Sequence, residues 1–412
     1  MSERGWKRLD AVRRIKQAAL TVVEAAKILG VSERQVRRIC DAVAVRGARG
    51  VIHGLTGRAP TNRTKEKTRV KIARLMRTKY VGFNDQHFTE KLVEVEKIRV
   101  SRRTVQRVLR AAGIGAARKR RPPKHRRRRD RKPQAGVMLL WDGSRHDWLE
   151  GRGPMFCLMG AIDDATGELL PGAHFVDQEC SAGYLRVLKA IAGGKGLPWS
   201  AYMDQHSALK RTDGHWTLEE ELRGEQDPTQ VSRALKGLDV EIIFALSPQA
   251  KGRVERLWGT CQDRLCSELR LAGAKTMKEA NAVLDRYRLE HNRRFAIPPQ
   301  DARPAWRPVR PGIDLERTCS FFYEATVGND NAVRLSGTVI DIPPGPGGRS
   351  YAKARAEVRQ LLDGSWRVYV KGALVATAAS TTVAEVRALK ARKRSAASRA
   401  FRSGIEKLAG LG

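Results

Sequence analysis

Residues 118–132, RKRRPPKHRRRRDRK, hold 11 Lys/Arg, two prolines and no other apolar side chain. Such a stretch cannot bury surface, and its own repulsion keeps it extended, so it divides the chain into parts that must each find a core. The pattern changes across it. Apolar residues recur at helical spacing before it and in short strand-like runs from residue 137. The charge changes too: residues 1–136 carry 39 Lys/Arg against 11 Asp/Glu, so 28 of the net +35 charges lie in the first third. A basic excess confined in this way points to a polyanionic partner, with DNA the leading candidate, and to strongly salt-dependent binding.

Two helix starts stand close together near the N-terminus. Thr21-Val22-Val23-Glu24 and Ser32-Glu33-Arg34-Gln35 fit the capping-box pattern, with Gly30 between them to end the first helix. The second helix presents Arg34, Gln35, Arg37 and Arg38 outward and turns Val36 and Ile39 inward, as a major-groove recognition helix does. A plain helical hairpin with a solvated basic face is the alternative. A related pattern follows: a helix opening at Phe88-Thr89-Glu90, a turn at Ile98-Arg99-Val100, and a basic helix from Ser101 to Gly113. Its outward residues are Arg102, Arg103, Gln106 and Arg107. The expected organisation is a first helix-turn-helix over 1–58, a second over 59–117, and a basic linker over 118–136.

From 137 the runs 137–141, 155–162 and 169–176 read as an antiparallel meander, followed by a helix around Tyr184–Ile191. Then come a strand at 201–203, a helix at 231–238, a strand at 241–246 and a long helix at 251–271. This order gives a mixed sheet with helices against it. Three acids stand at element edges: Asp142 and Asp204 after the first and fourth apolar runs, and Glu255 one turn into the long helix. If the fourth strand returns beside the first, the two aspartates become neighbours at a sheet edge where α/β proteins commonly bind ligands. Alone, each acid is an ordinary turn former or surface group. Asp147, Asp163 and Asp164 compete, but Asp163-Asp164 read as a turn pointing away from that edge. Together, three carboxylates repel one another unless a cation neutralises them, and hard oxygen donors suit Mg²⁺ or Mn²⁺. Two such ions about 4 Å apart can serve in-line phosphoryl displacement. Lys251 and Arg253, at the start of the same helix, are candidate contacts to DNA phosphates. His206 is a weaker candidate for the site.

A helix at 280–291 and a proline-rich strap over 301–317 lead to five or six short strands between 318 and 380, which suggest a small β-barrel. Residues 381–412 form a basic tail that includes Lys390, Arg392, Lys393 and Arg394. Six scattered cysteines without a CxxC pair read as free buried thiols. There is no apolar run of membrane-spanning length and no signal-peptide core, so no membrane partner is expected and the location expected is cytoplasmic, at the nucleoid through DNA binding.

Residues 137–300 resemble the integrase catalytic core of DDE transposases and retroviral integrases, through WDGSRHDWLEGRGP, LMGAIDDATGELLPG, Tyr202-Met203-Asp204-Gln205-His206 and SPQAKGRVERLWGT. The match is strongest to insertion-sequence transposases of the ISNCY type, and the flanking helical and β domains fit the same family. The resemblance implies a multidomain α+β protein with an RNase H-like core over 137–300. It implies Asp142, Asp204 and Glu255 as a metal-binding catalytic triad, and element ends and target DNA as partners, gripped by a homo-oligomer. The implied activity frees a 3′-hydroxyl at the element end and joins it to target DNA. Two departures stand out. Glu255 follows Asp204 by 51 positions, with the surplus in HWTLEEELRGEQDPTQ, and Gln262 occupies a place where some relatives carry Lys or Arg. The alternative is a transposase-derived DNA-binding regulator with an inert core.

Overall fold

The computed structural model describes residues 1–57, 63–117, 129–211, 214, 216–245, 252–335, 337–383 and 385. These fall into two compact units, Met1–Lys71 and Ile72–Gly412. In the first, α1 (Glu3–Lys16), α2 (Val22–Leu29) and α3 (Glu33–Arg46) close over Ala11, Ala25, Ala26 and Val36, with Val12, Ile39 and Val51 beside them. The Thr21–Glu24 capping box forms in both directions, and Gly30 ends α2 at φ 63°, a left-handed conformation that costs glycine little. Ser32 caps α3 by accepting from the Gln35 backbone N–H at 3.3 Å.

The division falls within α4 (Glu66–Thr78); the second unit opens with the rest of that helix, followed by α5 (Asp85–Glu94) and α6 (Arg102–Ala111), packed around Ile72, Tyr80, Phe83, Phe88, Leu92 and Leu109. Its centre is a five-stranded sheet of β1 (Met138–His146), β2 (Phe156–Asp163), β3 (His174–Val176), β4 (Ser200–Met203) and β5 (Glu241–Phe244), in the order β3-β2-β1-β4-β5. The first three strands are antiparallel, whereas β4 lies parallel to β1 and β5 parallel to β4. The fourth strand therefore does return beside the first.

Side chains alternate across the sheet and divide between two cores. Leu139 and Trp141 face α7 (Ser181–Gly194) and α9 (Gln230–Gly237). Met138 and Leu140 face α10 (Gly252–Leu271) and α11 (Met277–Phe295). Within the long insertion, α8 (Leu218–Arg223) is closed at its start by a Thr217–Glu220 capping box.

Residues 129–136 lie on the core. Buried Asp164 accepts from Arg129 at 2.6 and 3.2 Å and from the Lys132 backbone N–H at 2.8 Å, while buried Asp163 accepts from Gly136 N–H at 2.7 Å. Residues 118–128 of the basic run lie outside the described residues. The proline-rich strap is held by Ala305 N–H to the Ala135 carbonyl at 2.7 Å and by a bridge between Leu197 and Arg307. Asn292 holds both the N–H and the carbonyl of Leu169, at 2.8 and 2.9 Å, fixing α11 against the sheet.

After α12 (Leu315–Thr318), the C-terminal strands are β6 (Phe321–Thr326), β7 (Ala332–Leu335), β8 (Thr338–Asp341), β9 (Arg355–Gln360), β10 (Trp366–Val370) and β11 (Ala373–Ala378). All six expected strands form, but they do not close into a barrel. Four make a sheet in the order β11-β10-β9-β6, and β7-β8 is a separate hairpin. Both pack on one core that includes Val333, Ile340, Val358 and Val368. Burial of a shared face satisfies the alternating pattern without a continuous hydrogen-bonded ring. The basic tail from 386 lies outside the described residues.

Candidate active site and nucleic-acid-binding helices

Asp142 does not end its strand, contrary to the sequence expectation. β1 continues for four more residues, pairing Asp142 with Gly160 and His146 with Phe156 of β2. The parallel β1–β4 ladder is what stops here. Its last pair is Leu140 with Tyr202. Asp142 and Asp204 each stand two residues beyond that pair, Asp142 still on β1 and Asp204 in the first position past β4, so the two acids leave the shared ladder at matching positions, where adjacent strands lie about 5 Å apart.

Alternation along β1 puts Asp142 in the row of Met138 and Leu140, on the α10 side. The Trp258 indole N–H donates to Asp142 Oδ2 at 3.1 Å, and one turn on, Gln262 Nε2 donates to Ser144 Oγ at 3.2 Å. A helical turn and a two-residue strand step have similar lengths, so α10 runs in register with β1. Gln262 thus has an intramolecular partner beside the site. Asp204 Oδ1 accepts from the His206 N–H at 3.1 Å, an Asx turn that shapes the loop after β4.

Glu255 lies in the first turn of α10, three residues before Trp258, and its side chain is exposed. Among the described residues no group of three His, Cys, Asp or Glu side chains is gathered closely enough to hold a metal ion. The fold therefore brings Asp142 and Asp204 together and leaves Glu255 at the solvent side of the helix above them. Lys251 lies outside the described residues. Arg253 is half-buried in an ion pair with buried Asp164 Oδ1 at 2.6 Å and also donates to the Arg129 carbonyl. Its charge anchors the start of α10.

One acid that sequence reasoning missed stands at the same edge. Glu179, between β3 and α7, accepts from the Tyr184 hydroxyl, and its Oε1 is 3.6 Å from His206 Nδ1. Its Oε2 rests against the bare Cα of Gly143, where an added Cβ would come within 2.6 Å. Burial lifts the Glu179 carboxyl above its usual range; the Tyr184 hydroxyl and His206 oppose the lift, and Asp204 and Asp142 add to it. Burial, with Glu179 and Asp142 beside it, also pushes the Cys157 thiol up to about 12. The only local hint of Glu179 was an acid just ahead of a helix.

Arg34, Gln35, Arg37 and Arg38 are all exposed on α3, with Arg37 3.9 Å from Glu33. On α6, Arg102, Arg103 and Arg107 are exposed. Gln106 is half-buried and donates to Asp85 Oδ2 at 3.2 Å, an oxygen that also accepts from Arg110 at 2.5 Å.

No family model matches the chain. It is 37% identical over 317 residues to a Sinorhizobium fredii protein named as transposase y4bF, covering 77% of this chain and 68% of that protein. It is 31% identical over 328 residues to the transposase for insertion sequence IS1202 of Streptococcus pneumoniae, covering 70% of this chain and 68% of the relative. Among solved structures, a simian T-cell lymphotropic virus intasome chain matches 75% of this chain and 99% of its own length at 12% identity and a TM-score of 0.30. The HTLV-2 integrase catalytic core, solved with magnesium, covers 37% of this chain and 85% of its own at 16% identity and a TM-score of 0.25. The sequence identity to the two bacterial relatives, sustained over most of their length, decides the kinship: this chain belongs to the transposase family.

Proposed function

We propose that the protein binds the ends of its mobile element and catalyses metal-dependent strand cleavage and transfer to target DNA, as a DDE polynucleotidyl transferase. The observation that carries this reading is the matched placement of Asp142 on β1 and Asp204 just past the end of the parallel neighbouring strand β4, beside a helix that bears Glu255 and is tied to Asp142 by Trp258. Hard carboxylate oxygens at an open edge suit Mg²⁺ or Mn²⁺; two such ions, when bound, would stabilise the attacking and leaving oxygens of an in-line displacement. Asp142, Asp204 and Glu255 are the residues that would hold them. In the first step water adds to the scissile phosphorus and the 3′ oxygen leaves as a hydroxyl. In the second, that hydroxyl adds to a target phosphodiester, whose own 3′ oxygen leaves, so no bond to the protein forms.

The chain's own groups then have distinct tasks. Trp258 fixes the orientation of the Asp142 carboxylate, and the Asx turn at Asp204 fixes the second acid. α3 and α6 act as the recognition helices of two helix-turn-helix units, with Arg34, Gln35, Arg37, Arg38, Arg102, Arg103, Gln106 and Arg107 toward DNA. Lys251 and Arg253 flank the scissile strand, Arg253 by positioning α10 through Asp164. Joining two ends in one event calls for a homo-oligomer on DNA. No helix among the described residues is long and apolar enough to cross a membrane. DNA binding would hold the protein at the nucleoid.

The test is an in vitro joining assay with the DNA that flanks the coding region. Wild-type protein is expected to join strands in Mg²⁺. Asp142→Asn, Asp204→Asn and Glu255→Gln should each abolish joining while DNA binding persists. The exposed position of Glu255 favours a second reading, a DNA-binding regulator with an inert core, and wild-type protein that binds the ends without cutting them in Mg²⁺ or Mn²⁺ would establish it.

A further inference from the structure

We infer that Glu179 is a positioning residue for the catalytic edge: from the face of the sheet opposite the Asp142 carboxylate, it ties the loop that carries Asp204 to β1. This rests on the proposed function. Two features that are unfavourable alone explain each other. Gly143 stands inside β1, where a glycine weakens the strand. Its φ lies outside the left-handed region, so backbone conformation does not call for glycine there. Space does: a Cβ would come within 2.6 Å of Glu179 Oε2 and 3.1 Å of Cys157 Sγ. Glu179, in turn, has a side chain 21% exposed, in a place where an apolar group would escape the cost of desolvation. Burial, with Asp204 and Asp142 adding to it, lifts its carboxyl above the usual range.

The contacts of this acid show what offsets that cost. Alternation along β1 sends Gly143 to the α7 side with Leu139 and Trp141, whereas Asp142 faces α10. Tyr184 of α7 is 1% exposed; its hydroxyl donates to Glu179 Oε1 and its ring stacks on Trp141 with centroids 5.8 Å apart. The carboxylate is thereby fixed against the strand position next to Asp142. The same Oε1 stands 3.6 Å from His206 Nδ1, and the His206 backbone N–H donates to Asp204 Oδ1 at 3.1 Å. The β1–β4 ladder has its last pair at Leu140 and Tyr202, short of Asp204. Glu179 spans the gap beyond that pair, with Gly143 on one side and His206 on the other. It sets the spacing of Asp142 and Asp204 through the residues beside them, and not as a third oxygen donor.

The experiment compares full-length Glu179→Gln, Glu179→Ala and Gly143→Ala with wild type. Glutamine keeps the length of the side chain and an oxygen for the Tyr184 hydroxyl, whereas alanine removes the bridge. Gly143→Ala keeps every charged group and asks only the ends of the Glu179 and Cys157 side chains to move. Joining is measured on the DNA that flanks the coding region, and Mn²⁺ binding to the protein–DNA complex by electron paramagnetic resonance. Glu179→Ala and Gly143→Ala are expected to lower joining by about 100-fold, as misplacement of reacting groups by an ångström does, and to weaken Mn²⁺ binding. Glu179→Gln should join and bind Mn²⁺ much as wild type does. Glutamine as inactive as alanine would overturn the inference, because the loss would then follow the charge and not the position. Wild-type joining in both alanine-containing variants would overturn it as well. If Glu179→Ala loses its thermal unfolding transition, Gly143→Ala and Glu179→Gln decide the matter. Wild-type protein that neither joins strands nor binds Mn²⁺ would instead mark failure of the functional reading.

Discussion

Asp164→Ala should be among the most destabilising single changes in the catalytic core. The carboxylate is fully buried and takes Arg253 at 2.6 Å, Arg129 at 2.6 and 3.2 Å, and the Lys132 N–H at 2.8 Å. Arg129 has a side chain 42% exposed and can rehydrate, so its loss contributes little. Arg253 is 13% exposed and would be left as a largely buried charge without its counter-ion. Breaking a buried pair from one side costs about 3–5 kcal/mol, and a stranded backbone donor falls within the same range. For a core of this size that corresponds to a fall in Tm of roughly 10 °C. Differential scanning calorimetry in Mg²⁺-free buffer measures it, and because the pair is buried, added salt should change the difference only slightly. Arg253 opens α10, so joining should fall as well, through misplacement of Glu255. A Tm within about 2 °C of wild type would refute the clasp, given the slope that relates stability to Tm.

Trp258→Phe removes the donor to Asp142, a hydrogen bond to a charged acceptor worth about 1.5–3 kcal/mol; joining should fall about 10- to 100-fold with end binding intact in a gel-shift assay, and undiminished joining would remove Trp258 from the site. Glu220 gives an acid-limb prediction: burial raises its carboxyl, but the backbone N–H groups of Asp227 and Thr217 and the Arg211 guanidinium outweigh that and hold it down at about 2. A group depressed from its ordinary 4.5 stabilises the fold above that pH and loses the contribution as pH falls toward 2. Urea titrations should therefore show Glu220→Gln flattening the stability loss across that window, whereas an unchanged acid limb would contradict it. Replacing Arg126, Arg127 and Arg128 by Gln should shallow the salt dependence of end binding by about 0.9 for each phosphate no longer neutralised, up to roughly 3 in slope, measured by anisotropy across a salt series; an unchanged slope would place the basic run off the DNA.

The parts that were legible in the sequence are those governed by local chemistry. The Thr21 box and the Gly30 stop mark α2 because a cap and a left-handed turn have only a few residue solutions. The apolar runs gave β2, β4 and β5, and short connections gave the meander, from which the neighbouring of β1 and β4 followed. What was not legible depended on partners distant in sequence. β1 continues through Gly143, Ser144, Arg145 and His146, a polar stretch with weak strand preference, because β2 supplies a full ladder there. Glu179 reaches the site only because Gly143 has no side chain. The acidic, polar insertion was legible only as surplus length between Asp204 and Glu255, yet it folds into α8 and buries Glu220 completely. The barrel expectation failed because alternation specifies a buried face and not which edges pair.

In the proposed mechanism Asp142, Asp204 and Glu255 serve one metal centre. The most direct measurement is a structure of the full-length protein on its terminal repeat DNA with Mg²⁺ replaced by a non-catalytic divalent cation such as Ca²⁺. Oxygens of all three residues are expected on the bound ions, at about 2.3–2.6 Å for Ca²⁺, with the start of α10 drawn toward the β1–β4 edge. Ions held by Asp142 and Asp204 with Glu179 in the third place, and Glu255 still facing solvent, would contradict it.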